Sequence, residues 1–244
     1  MIRLIITAAF VVLYLILSIP VAFVEWLIGK KWPDVKDRSC LAYVNWAFRV
    51  VAFCSGVKVT VIGHERIPRD TAVLYVGNHR SIFDTVVTYP LVVGLTGFVS
   101  KIELLKVPLL RTWMKNLHCL FLDRKDIKAG LQTILQGIDM MKSGISLIIF
   151  PEGTRSKKEG EFLPFHAGSF KLAEKSGCPI VPISINNTGA VLEDHFPWIK
   201  KTHVIVEYGD PIYVKDLDRE AKKNLPDTVR QIIIDTYNKN APLV

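Results

Sequence analysis

The 244-residue sequence predicts an α/β protein: a single mixed, largely parallel sheet of about seven strands with helices on both faces, preceded by an N-terminal membrane-associated two-helix segment. Three observations predict it. After Gly56, short and nearly continuous apolar runs alternate with helical patterns, as in a sheet covered on both sides. Residues 4–24 carry no charged side chain, long enough to span a hydrocarbon core of about 30 Å. Half of all residues are hydrophobic, which supplies a sizeable core.

Taken in order, the uncharged segment is too long for the apolar part of a signal peptide, and no A-x-A cleavage site follows it. Glu25, Trp26, Lys30, Lys31 and Trp32 read as its interfacial end. The next apolar stretch, 40–56, is interrupted by Asn45 and Arg49 and reads as an interfacial or re-entrant helix. A one-leaflet hairpin is preferred to a single span followed by an interfacial helix. The expected division is 1–56 for the membrane-associating helices and 57–244 for the α/β domain.

Strands are expected at 58–62, 72–76, 97–100, 119–122, 146–150, 179–185 and 203–208. Pro182 marks the sixth as an edge or bulged strand. Ile127, Leu131, Ile134, Leu135 and Ile138 share one face of a helix that Gly144 ends. Further helices are expected at 168–177 and 227–239, the last with Val229, Ile232, Ile233 and Tyr237 inward.

Two constellations carry chemistry. In N-H-R-S-I-F-D, 78–84, His79 and Asp84 stand five apart just after a strand. In one continuous helix they would be about 140° apart, so they meet only if the chain turns between them. Gly77 and Asn78 supply the break, and Ser81 with Asp84 reads as a helix-start signal. The plain alternative is that Asp84 only closes a capping box. The second constellation, F-P-E-G-T-R-S at 150–156, also follows an apolar strand. Arg155 sits among small turn-forming residues, where a guanidinium can grip a phosphate bidentately, and Glu152, Gly153, Thr154 and Ser156 surround it. Its plain alternative is a cap by Ser156 and Glu159, with Arg155 paired to Glu152. Lys101 and Arg124 end two further strands, so three basic residues gather at strand ends, where such sheets bind ligands.

N-H-R-S-I-F-D, then F-L-D-R at 121–124, F-P-E-G-T-R-S and I-V-P-I-S-I at 180–185 together resemble the four blocks of the glycerolipid acyltransferase family, most closely its 1-acylglycerol-3-phosphate acyltransferase branch. The resemblance covers about residues 78–185. It implies acyl transfer from acyl carrier protein or coenzyme A thioester to the free hydroxyl of lysophosphatidic acid. It also implies His79 as base, Asp84 as its partner, and Arg124 with the Glu152–Arg155 block at the acceptor's phosphate. Two positions depart from the family pattern: Arg80 where glutamine is common, and His118 where glycine is common. Both fall where they could alter the acceptor pocket.

The chemistry is self-consistent. A neutral histidine can take the proton of an attacking hydroxyl, and an aspartate on its other nitrogen fixes the tautomer. No cofactor beyond the acyl thioester co-substrate is expected. No metal is expected either, because the six histidines form no ligand pattern. The four cysteines are widely spaced and read as reduced thiols. The net charge of +8 suits an anionic partner. A nucleic acid would not explain residues 4–24, so membrane lipid is the expected surface, with the active site facing the cytoplasm at a bacterial-type inner membrane. Competing readings are another acceptor, such as glycerol 3-phosphate or a different lysophospholipid, and a non-catalytic membrane-anchored lipid-phosphate binder. The intact His79/Asp84 pair argues against the last.

Overall fold

A computed structural model describes all 244 residues. Two helices come first, α1 (Ile2–Gly29) and α2 (Pro33–Ser55), followed by β1 (Val57–Ile62), β2 (Leu74–Gly77), α3 (Phe83–Thr88), β3 (Thr96–Lys101) and α4 (Pro108–Asn116). Then come β4 (Leu120–Leu122), α5 (Ile127–Lys142), β5 (Ser146–Ile149), α6 (Lys171–Ser176), β6 (Ile180–Asn186), β7 (Thr202–Tyr208) and α7 (Arg219–Asn240). All seven expected strands form one sheet in the order β1-β7-β6-β2-β5-β3-β4. Every neighbouring pair is parallel except β6–β7.

The sheet is covered on both faces, and β2 shows why its residues form a strand. Tyr75 points into a cluster with Phe98, Ile148, Val181 and Val204. Leu74 and Val76 point the other way, into a cluster with α5, α6 and α7. Alternate residues thus serve opposite cores, and all three are fully buried. Burying each such side chain stabilises the fold by about 1.5–3 kcal/mol.

Three expectations are corrected. Pro182 lies on an interior strand, β6, between β7 and β2. It is tolerated because the β6–β7 ladder starts only at Ile183, and Pro182 still accepts from the Gly209 N–H at 2.9 Å. On α5 the buried face is offset from the expected stripe: Ile138 is buried, whereas Ile127, Leu131 and Leu135 are exposed. Gly137 decides this, since a Cβ there would meet Leu172 at 2.6 Å and Leu120 at 2.8 Å, so the helix seats its glycine side. The third is the boundary at Gly56. Cys40, Val44 and Val51 of α2 lie in the same cluster as Tyr75, Ile148 and Val204, so Gly56 marks a change of secondary structure and not the edge of the core.

α1 is built inside out. Its buried residues are polar (Thr7, Ser18 and Glu25), while Ile2, Ile5, Leu13, Ile16, Leu17 and Phe23 are exposed. The three polar positions are 11 and 7 residues apart, close to whole turns, and so share one face. Each finds a partner: Ser55 at 3.3 Å, the Trp113 indole N–H at 2.8 Å and Ser39 at 2.6 Å. The helix has the length and composition to cross a membrane, with a mean hydropathy of 2.7 in its apolar window. The four cysteines are free thiols.

Candidate active site

The carboxyl ends of β6, β2 and β5 are adjacent in the sheet, and the two constellations leave from β2 and β5. Asn78 fixes the exit from β2. Its amide donates to the Ile185 carbonyl and accepts from the Ile185 N–H, both at 2.9 Å, so a side chain pairs with β6 where backbone pairing ends. The chain then turns, and His79 Nδ1 comes to 2.8 Å from Asp84 Oδ2.

Asp84 is fully buried and saturated with donors. Oδ2 accepts from the N–H groups of Arg80 at 2.7 Å and Ser81 at 2.8 Å, and Oδ1 accepts from the Thr188 hydroxyl. Ser81 Oγ in turn accepts from the Phe83 N–H at 3.0 Å. The capping reading and the histidine-partner reading therefore hold together: one carboxylate starts α3 and orients the imidazole. Toward all of these N–H and O–H groups the carboxylate acts as acceptor. His79 must then carry its proton on Nδ1, leaving Nε2 as a bare acceptor with no partner inside the protein. The ring stacks on Phe150 with centroids 4.3 Å apart and a 9° interplanar angle.

The second constellation is tied to the first through its backbone. Glu152 Oε1 accepts from the His79 N–H at 2.8 Å, Oε2 accepts from the Leu163 N–H at 3.0 Å, and the Ser156 N–H donates to the His79 carbonyl at 2.8 Å. Both carboxylate oxygens of Glu152 are thus engaged by main chain. Burial pushes its pKa up, opposed by those two N–H bonds. Gly153 has φ +73, in the left-handed region, and its carbonyl accepts from Arg124. Burial lowers the Arg124 pKa, opposed by Glu103. Thr154 is exposed in the bend between Gly153 and Arg155, and Lys101 is exposed at the end of β3. Arg124 and Gly153 are brought together, whereas Lys101 has no ion-pair partner.

Sequence reasoning missed the loop after β6 as a source of partners. Glu193 accepts from Ser81 Oγ at 2.6 Å, from the Ile82 N–H at 2.9 Å and from Arg155 at 3.0 Å, joining both constellations. Arg155 therefore pairs with Glu193 and not with Glu152. Asp194 pairs with Arg80, whose buried guanidinium also lies 3.7 Å from Glu159. The sequence signal was available: two adjacent acids, Glu193 and Asp194, directly after the apolar residues 190–192, matched to two arginines in the motifs. His118, where glycine is common, has φ +56. Its Nε2 lies 2.9 Å from Asp37 of α2, a contact that offsets the backbone strain.

Residues 58–186, just over half the chain, match the family model described as Acyltransferase. The chain is 27% identical over 197 residues to a 1-acyl-sn-glycerol-3-phosphate acyltransferase of Borreliella burgdorferi, covering 81% of this chain and 76% of that protein. It is 30% identical over 219 residues to the enzyme of the same name from Limnanthes douglasii, covering 86% and 73%. The fold is similar to the crystal structure of the 1-acyl-sn-glycerophosphate (LPA) acyltransferase PlsC from Thermotoga maritima, with a TM-score of 0.81 at 23% identity over 97% of this chain and 96% of that one.

Proposed function

The chain belongs to the acyltransferase family, and from that premise we propose that it transfers an acyl chain from a thioester to the free hydroxyl of 1-acyl-glycerol 3-phosphate, giving phosphatidic acid. The observation that carries the reading is the 2.8 Å contact of His79 Nδ1 with Asp84, which leaves Nε2 free on a ring that is 21% exposed.

The acceptor hydroxyl gives its proton to Nε2 as its oxygen attacks the thioester carbonyl. The tetrahedral intermediate collapses, the C–S bond breaks, and the leaving thiolate takes the proton back. Asp84 stabilises the imidazolium in between. General-base assistance of this kind contributes typically about 10²–10⁴-fold. No acyl-enzyme is required. The nearest hydroxyl in the motif, Ser81 Oγ, is committed to Glu193 at 2.6 Å.

Lys101, Arg124, Arg155 and the Gly153–Ser156 turn are proposed to hold the acceptor's phosphate. Arg155 is half exposed and paired with a single carboxylate, so an incoming phosphate can compete for it. Arg124 is partly desolvated, which strengthens its attraction to an anion. Glu152 acts on the backbone that carries His79. Arg80, the departure from the family pattern, is neutralised by Asp194 and Glu159 and offers no free charge to the headgroup. This supports lysophosphatidic acid as the acceptor.

The donor is a thioester of acyl carrier protein or coenzyme A. Placement in one leaflet at a cytoplasmic membrane face is also proposed. Ser18 of α1 is held by Trp113 of α4, and α2 lies in the core, so α1 runs beside the domain and not away from it. Purified protein, given labelled acyl-carrier-protein and acyl-coenzyme A thioesters against a panel of acceptors, tests the assignment. Phosphatidic acid as the main product is expected, and a strong preference for glycerol 3-phosphate overturns the acceptor.

A further inference from the structure

The loop between β6 and β7 does more than supply Glu193 and Asp194. Phe196 is 74% exposed and Trp198 52% exposed, next to exposed Lys200 and Lys201. These aromatics are not loose. Ile199, which follows Trp198, is buried in the core, the Trp198 N–H donates to the His195 carbonyl at 2.7 Å, and the Lys200 N–H donates to the Val191 carbonyl at 3.0 Å. The loop is a fixed turn that holds two large aromatic rings outward.

It sits at a particular corner. A Cβ on Gly56 would lie 2.9 Å from the Lys201 side chain and 3.3 Å from the Arg3 guanidinium, so Lys201 meets the start of α1 and the end of α2. Ile2 and Phe53, 75% and 84% exposed, belong to those two helix ends. Arg3, Lys200 and Lys201 have no acidic partner within 4.0 Å, and no other ion pair involves them.

The opposite end of α1 has the same chemistry. Lys30 lies 3.7 Å from the Trp26 ring centroid and Lys31 lies 4.7 Å from that of Trp32. Tryptophan with lysine is the side-chain combination that settles at a lipid headgroup boundary, ring toward the acyl chains and ammonium toward phosphate. At its own N-terminal end α1 has only Arg3, and the β6–β7 loop supplies the rest. Aromatic and basic residues therefore bracket the exposed apolar face of α1 at both ends, about 40 Å apart by helix rise. On the one-leaflet placement proposed above, with the domain held alongside α1 at Ser18, both ends lie on the same side of a bilayer.

We propose that residues 196–201 form a second membrane contact, with Phe196 and Trp198 seated at the headgroup boundary of an anionic leaflet and Lys200 and Lys201 on its phosphates. The reading rests on the membrane association of α1. The same rigid loop carries Glu193 and Asp194, so this contact ties the height of both motifs to the lipid surface.

The test uses the full chain reconstituted in vesicles of brominated phosphatidylglycerol. Tryptophan fluorescence of the full chain is compared with that of Trp198→Phe, so the difference reports Trp198 alone. The expected result is quenching of that difference by shallowly brominated lipid and protection from aqueous iodide. Quenching by iodide without quenching by lipid overturns the proposal. Protection from both also overturns it and points to contact with a second copy of the chain. A functional arm uses Phe196→Ser with Trp198→Ser, and separately Lys200→Gln with Lys201→Gln. The apparent KM for acceptor presented in bilayers should rise on the order of fivefold per lysine removed, with kcat on a dispersed short-chain acceptor unchanged. An equal loss on both acceptors makes the loop merely structural. Absence of activity in the parent protein would sink the acyl-transfer reading alone, since the quenching arm needs no turnover.

Discussion

Thr188 donates its hydroxyl to Asp84 Oδ1, the oxygen that His79 leaves free, across 104 residues of chain. The aspartate is thereby fixed from α3, from the histidine and from the end of β6 at once. We predict that Thr188→Val lowers turnover on the order of tenfold, the equivalent of one charge-assisted hydrogen bond of about 1.5 kcal/mol. Acceptor KM should stay near its parent value. Thr188→Ser should recover most of the rate. A valine variant with unchanged kcat removes Thr188 from the account.

Arg155 and Arg124 are proposed to act on the acceptor and not on the proton. We predict that Arg155→Ala and Arg124→Ala each weaken acceptor affinity by about 1.5–3 kcal/mol, the range for a lost charge-assisted contact. The readout is apparent acceptor KM at fixed donor concentration. A change confined to the donor constant assigns these arginines to the thioester carrier instead.

Removing residues 1–31 deletes α1 and leaves α2 in place, whereas removing 1–56 also strips Cys40, Val44 and Val51 from the core. We predict that the shorter deletion gives a folded protein with poor activity on bilayer lipid. The longer deletion should lose cooperative unfolding, because large apolar core losses cost about 2–5 kcal/mol each against a total stability of about 5–15 kcal/mol. Thermal unfolding followed by circular dichroism distinguishes the two, and a cooperative transition in the longer deletion contradicts the shared core.

Glu152 makes stability depend on pH. Burial raises its folded-state pKa above the ordinary glutamate value. Its contribution is therefore fully present below that ordinary value and is lost as pH rises through the raised one. Glu152→Gln removes the titration. We predict that the stability advantage of the parent over this variant is larger near about pH 4 than near pH 8, measured by denaturant unfolding. An advantage that grows with pH reverses the sign and the assignment.

Much of this was legible in the sequence because it is local. Each strand is an apolar run bounded by breakers, and both motifs follow directly from strand ends, so the sequence alone places His79, Asp84 and Arg155 at one sheet edge. What was not legible depends on distant pairing. Nothing in the local pattern brings Thr188 to Asp84 or Glu193 to Ser81 and Arg155. The burial of α2 was hidden because Asn45 and Arg49 give it the amphipathic pattern of an interfacial helix, while one of its faces covers the sheet. On α5, Gly137 carries no hydrophobic signal, yet it selects the face that packs.

The claim that His79 is the general base is tested most directly by turnover of purified His79→Ala, with acceptor binding measured on the same sample. The account predicts loss of acyl transfer by about 10²-fold or more, with lysophosphatidic acid binding largely intact, because the imidazole acts on the hydroxyl proton and not on the phosphate. Near-parental turnover in that variant would contradict it.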